Sequence, residues 1–106
     1  MPPPLFLAVQ YKHFEVVDLL LKLKANVNII YSSRLMRSVL HVAASYSNTK
    51  IVKYLLDKVE VKQIVSSDGW GNSPLHYARN AKIAHLLVYA GANIEQENLQ
   101  GYFQGS

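Results

Sequence analysis

Apolar residues fall into three blocks with helical spacing. In the first, Val16, Leu19, Leu20 and Leu23 follow the i, i+3, i+4, i+7 pattern of an amphipathic helix. Val17 and Leu21 widen that stripe. Ile51, Val52, Leu55, Leu56 and Val59 form the second block, and the segment from Lys82 to Ala90 forms the third. A shorter apolar segment precedes each block, beginning at Leu5, Leu40 and Leu75. The pattern therefore predicts paired helices, a first helix over about Leu5–Tyr11 and a second over about Glu15–Leu23, then two further pairs. Helices this apolar need cover on more than one side, which neighbouring pairs can supply by stacking.

The segment Asp68-Gly69-Trp70-Gly71-Asn72-Ser73-Pro74-Leu75-His76-Tyr77-Ala78 identifies the unit. Two glycines tolerate the positive φ of a turn. Ser73 can cap free N–H groups, and Pro74 suits the first helical position, where no donor is needed. Ser38-Val39-Leu40-His41-Val42-Ala43 repeats the order, as does Pro4-Leu5-Phe6-Leu7-Ala8-Val9. Leu5, Leu40 and Leu75 are each 35 residues apart. The first and third copies close alike, in Ala25-Asn26-Val27-Asn28 and Ala92-Asn93-Ile94-Glu95. This closely resembles the ankyrin repeat, whose signature includes T-P-L-H-x-A and whose period is about 33 residues.

The resemblance implies an all-α ankyrin-repeat solenoid of stacked helix-turn-helix units with β-hairpin fingers between them. The domain would cover residues 1–101, with repeats at about 4–37, 38–72 and 73–101. Residues 102–106 read as a protease-tag remnant, and the chain as a fragment cut from a longer array. The first finger, Ile29 to Arg37, lacks the family's Asp-x-x-Gly turn: Ser33 and Met36 stand at the Asp and Gly positions. It is expected to be looser or differently bent than the second. Val59 falls where the family has a C-cap glycine, a place where a β-branched residue is strained. A shifted helix end is expected near Asp57 to Lys62, and the alternation from Val59 to Val65 could extend the second finger. Ala25 and Ala92 are 67 residues apart while Leu5 and Leu75 are 70 apart. Repeat three is therefore three residues short, with a tight turn expected at Arg79-Asn80-Ala81 and a cap at Gly91.

Composition narrows the function. With 106 residues the chain holds one domain. No apolar run approaches the ~18 residues of a membrane helix, so no membrane insertion is expected. The absence of cysteine excludes thiol chemistry and disulfides, and fits an intracellular, cytoplasmic or nuclear location. The net charge of +4 raises nucleic acid as a partner. Lysines are interleaved with Glu15, Asp18, Asp57 and Glu60, however, and the sequence reads as a mixed, solvated face. Asp18 and Lys22, and likewise Lys53 and Asp57, are placed to pair at i, i+4.

Chemistry is poorly supported. His41 and His76 share one repeat position, which points to a structural role, and the resemblance implies that they tie the first helix to finger backbone. Pro74, Gly71 and Gly91 are structural for the reasons given. No His-Glu-x-x-His run, nucleophile elbow or phosphate loop occurs, so no enzyme, metal or cofactor is expected. What remains is a binding surface for a partner protein. Carried over from the resemblance, its contacts are Arg34, Leu35 and Arg37 on the first finger, and Gly69, Trp70 and Asn72 on the second. The first helices add Gln10, Tyr11, Ser45, Tyr46 and Asn80. Trp70, between two glycines, is the sharpest of these, since Trp, Tyr and Arg dominate interface energetics. Arg34 and Arg37 would favour an acidic partner segment. Tyr54 and Tyr89 are expected to pack between repeats, uncapped end repeats to self-associate, and Asn28 stands where such repeats are sometimes hydroxylated. The alternatives are a basic nucleic-acid-binding domain, or a regulatory or targeting fragment of a larger enzyme or channel.

Overall fold

A computed structural model describes residues 2–31 and 35–98 of the chain. Each repeat is an antiparallel helix pair, and the pairs lie side by side. In the first, α1 spans Pro4–Gln10 and α2 spans Phe14–Lys22. The finger that follows is a short hairpin, β1 Ile30–Tyr31 with β2 Arg37–Ser38, in the register Ile30↔Ser38 and Tyr31↔Arg37. The second pair is α3 Val39–Tyr46 and α4 Thr49–Leu56. A single helical turn, α5 Val61–Ile64, comes next. The third pair is a 3-10 turn, Pro74–Tyr77, with α6 Ala81–Tyr89.

Local chemistry sets these boundaries. Ser38 Oγ accepts from the His41 N–H while the His41 ring accepts from the Ser38 N–H, a reciprocal cap. Ser73 and His76 repeat it one period on. Asn48 and Asn80 cap α4 and α6, each accepting at 2.9 Å from the N–H three residues ahead. The chain turns left-handed at Lys24 (φ 74°), Met36 (φ 49°), Gly71 (φ 80°) and Gly91 (φ 118°). These are the expected cap and fingertip positions, held by glycine in two cases and by long side chains in the others; Lys12 (φ 64°), at the turn between α1 and α2, is left-handed too and was not expected.

Two expectations are corrected. The alternating segment from Val59 to Val65 does not extend a finger; it forms α5. Its anchor is Gln63, which is buried, accepts from the Leu40 N–H and donates to the Val27 carbonyl and Asn28 Oδ1. The shortening of repeat three is also larger than a tight turn between helices. Its first helix is reduced to one 3-10 turn, and Ala78 leaves it in extended backbone.

Leu40, Ala43, Ile51, Leu55, Ile83 and Leu87 form the centre of the core, with Leu5, Val9 and Val17 on one side and Leu75 on the other. Equivalent positions show what stacking does. Ile51 and Ile83 are fully buried, whereas their counterpart Val16 is 45% exposed. Leu19, the counterpart of Tyr54 and Leu86, is 54% exposed. The buried side of α2 is thus Val17 with Leu20 and Leu21, and the part of the stripe formed by Val16, Leu19 and Leu23 lies open. At the other end Val88, Tyr89 and Ile94 are exposed. Tyr54 does join repeats: its hydroxyl donates to Asp18 at 2.5 Å and its ring meets Phe14 edge-on. Tyr89, on the outward side of the last helix, does not. Among the described residues no helix is long and apolar enough to cross a membrane.

Candidate functional site

The second finger is built around Asp68. Its side chain is fully buried, and its two oxygens gather four donors. Oδ1 accepts from the N–H of Trp70 at 2.9 Å and of Asn72 at 3.0 Å. Oδ2 accepts from the Tyr77 hydroxyl and from Arg37 Nε at 3.4 Å. Arg37 also donates to the Tyr77 hydroxyl at 2.9 Å and lies 4.6 Å over that ring. Burial pushes the Asp68 carboxyl up, but the Tyr77 hydroxyl and the two N–H groups outweigh it, and the group sits below the ordinary 3.8. Tyr77 moves the other way: burial and the Asp68 hydrogen bond raise it above 10.

His41 ties helix to finger as expected. Its Nε2–H donates to the Asn72 carbonyl at 2.7 Å, because Nδ1 is occupied by the Ser38 N–H. Burial holds it below the ordinary 6.5, and the same is true of His76. The two fingers are joined at their tips, where the Gly69 N–H donates to the Leu35 carbonyl at 2.6 Å.

Beside this network a groove of about 210 Å³ runs between α1, α3 and the first finger. Phe6, Gln10, Tyr31, Leu35, Arg37, Val42 and Tyr46 line it, with Pro2 at its end. Phe6 meets Tyr31 edge-on across it. Four of the expected contact residues, Gln10, Leu35, Arg37 and Tyr46, therefore converge. Trp70 stands 52% exposed at the tip of the second finger. Tyr11 is exposed at the end of α1, and Ser45 is half-buried on α3. Arg34 lies outside the described residues.

Three assignments are corrected. Asn72 is buried, with its amide donating to the Tyr77 hydroxyl, so it supports the finger rather than offering a contact. Arg37 is half-buried against Asp68, so its charge is answered within the chain. Asn80 is a helix cap. Asp68 and Tyr77, which the sequence reading left out, are the groups that hold the fingertip. The Asp at the start of the finger turn was the available signal; its partners lie nine and thirty-one residues away. Among the described residues no cluster of His, Asp and Glu could hold a metal.

The family model for ankyrin repeats in three copies matches residues 5–98. The chain belongs to the ankyrin-repeat family. Such repeats serve in general as protein-interaction modules, and the repeat domain is a non-catalytic fold. Ankyrin repeat and SOCS box protein 11 of Homo sapiens is 36% identical over 101 residues, which cover 92% of this chain and 30% of that protein. The nuclear factor NF-kappa-B p105 subunit of Gallus gallus is 39% identical over 103 residues, 92% of this chain and 10% of that protein. Tyrosine-protein kinase Shark of Drosophila melanogaster is 42% identical over 71 residues, 62% of this chain and 7% of that protein. The chain thus spans less than a third of the length of each of these relatives.

Proposed function

We propose that this ankyrin domain binds a partner protein through the groove between α1, α3 and the first finger, together with the second fingertip. The observation that carries this reading is the convergence of Gln10, Leu35 and Tyr46 on one groove, beside a half-exposed Trp70 on a hydrogen-bonded turn. Trp70, Tyr46 and Tyr11 supply apolar anchors that keep a polar edge. The turn is already ordered before binding, so little entropy is lost there when a partner arrives. The domain works inside the cell, in cytoplasm or nucleus, as the targeting or regulatory part of a larger protein. Any preference for an acidic segment at the fingers falls to Arg34, since Arg37 is paired. Mass-spectrometric comparison of proteins captured by the wild type, Trp70→Ala and Tyr46→Ala tests the reading. Partners held by the wild type and lost by both folded variants support it; partners held equally by all three refute it.

Self-association follows from the open end faces. Val16, Leu19 and Leu23 expose at one end the kind of surface that Ile51 and Tyr54 bury one repeat later. Val88, Tyr89 and Ile94 are exposed at the other. Joining the two ends of separate copies would continue the stack, a head-to-tail contact that does not close on itself. Sedimentation at increasing concentration tests this: Leu19→Gln should abolish a concentration-dependent increase in mass.

A further inference from the structure

The charges mixed along the sequence are sorted in the fold. In every repeat the first helix runs away from the finger and the second returns to it. The turn between them therefore forms the edge opposite the fingers. Lys12, Lys50, Arg79 and Lys82 stand at that edge, all exposed, with Glu15 as the one acid. Lys53 and Asp18 lie one turn further in, and Asp18 is engaged by Lys22 and Tyr54. Among the described residues of the finger edge the signs cancel: Lys22, Lys24, Arg37, Lys58 and Lys62 face Asp57, Glu60, Asp68, Glu95 and Glu97. Cations of the turn edge are also neighbours. Lys12 and Lys50 line one open cavity with His13 and Glu15, and Thr49 and Lys82 line the next with His85. None of the four is within ion-pair distance of a described carboxylate; the pairs formed involve Lys22, Arg37 and Lys62. The positive ends of α2, α4 and α6 lie at the same edge, but so do the negative ends of α1 and α3, where Arg79 donates to the Tyr46 and Ser47 carbonyls at 3.2 and 3.4 Å; the helix dipoles offset one another there, and the side chains set the sign.

We infer that this turn edge is a second docking surface, one that takes an acidic polypeptide segment. Stacked helices lie about 10 Å apart. An extended chain advances about 3.3 Å per residue, so one carboxylate in every three would meet successive cations. Nucleic acid fits less well. Four cations would displace few counterions from a phosphate backbone, and Glu15 sits within the row. None of the four cations lines the groove, although Arg79 reaches the Tyr46 carbonyl at its end, and neither reading depends on the other.

The probe is a fluorescein-labelled octaglutamate peptide, titrated with the full chain at low salt and followed by anisotropy. Lys12→Gln with Lys50→Gln and Lys82→Gln should weaken binding about tenfold or more, since each exposed cation contributes roughly two- to threefold. Lys22→Gln with Lys58→Gln and Lys62→Gln, which removes the same charge from the finger edge, should change it less than about twofold. Lys12→Glu and Lys82→Glu as single variants repeat the test should the triple variant unfold. Equal weakening by both triples would overturn the inference, because only net charge would then matter. A random single-stranded DNA of equal charge binding more tightly than the peptide, with the same dependence on the turn-edge lysines, would also overturn it.

Discussion

The two fingers occupy equivalent places and are built differently. Both must pass through left-handed backbone at the residue that closes the tip, position 36 in the first and position 71 in the second. The second uses Gly71 and an Asp three residues earlier, whose carboxylate gathers four donors from the turn, from Tyr77 and from the first finger. The first uses Met36 at φ 49° and has Ser33 where that Asp would be. In exchange it has paired strands, β1 and β2, which the described part of the second lacks. Hairpin geometry imposes the backbone; side chains decide how much it costs. The comparison also shows dependence: the first finger's Arg37 completes the second finger's network.

The sharpest break of this contrast is Asp68→Ala. It leaves Arg37 half-buried without its counter-ion and two turn N–H groups without an acceptor. The expected loss is about 3 kcal/mol in a denaturant titration, in the range for breaking a buried pair. Gly71→Ala is next. A Cβ at φ 80° should cost about 1–2 kcal/mol, with the loss appearing as a lower midpoint at unchanged slope. Met36→Gly reverses the sign. Relief of left-handed strain, about 1–2 kcal/mol, exceeds glycine's entropic penalty of about 0.5–1 kcal/mol. A net gain of about 0.5 kcal/mol should follow. Trp70→Ala should be smallest, within about 0.5 kcal/mol of wild type, because its side chain stands out from the turn that its own N–H helps to hold.

Acid sharpens the same contrast, since the second finger is fastened by groups that titrate. His41 and His76 are held below 6.5 by burial, so the unfolded chain takes up protons first as pH falls. Their contribution is complete above that value and is lost as pH drops from 6.5 toward their folded values. Asp68, held below 3.8, adds a second loss from 3.8 downward. Thermal unfolding should therefore show a midpoint that is level above neutrality and falls in two stages. His41→Asn together with His76→Asn should remove the first stage and leave the second.

The period, the caps and the left-handed positions were legible in the sequence because each is a local choice. Ser38, Ser73 and Gly91 act within a few residues of themselves. What escaped was set at long range. Val59 to Val65 alternates like a strand, yet Gln63 turns it into a helix by reaching Leu40 and Val27. Asn72 looked like a fingertip contact and is buried because Tyr77 and Asp68 close over it. Arg37 looked like a free cation until its acid arrived from the next finger. Val16 and Leu19 carry the helical pattern of buried residues, but burial there needs a neighbouring repeat. Of the expected contact set, Gln10, Leu35, Arg37 and Tyr46 were brought together; Trp70 lies on the adjoining fingertip, and neither it nor Tyr11 lines the groove.

Hydrogen exchange of the chain, measured alone and with a captured partner protein, tests the central claim most directly. The account predicts new protection over residues 35–37, 42–46 and 69–71, with helices α2 and α6 unchanged. Protection confined to α2, α4 and α6, with the groove and second fingertip exchanging as before, would contradict it.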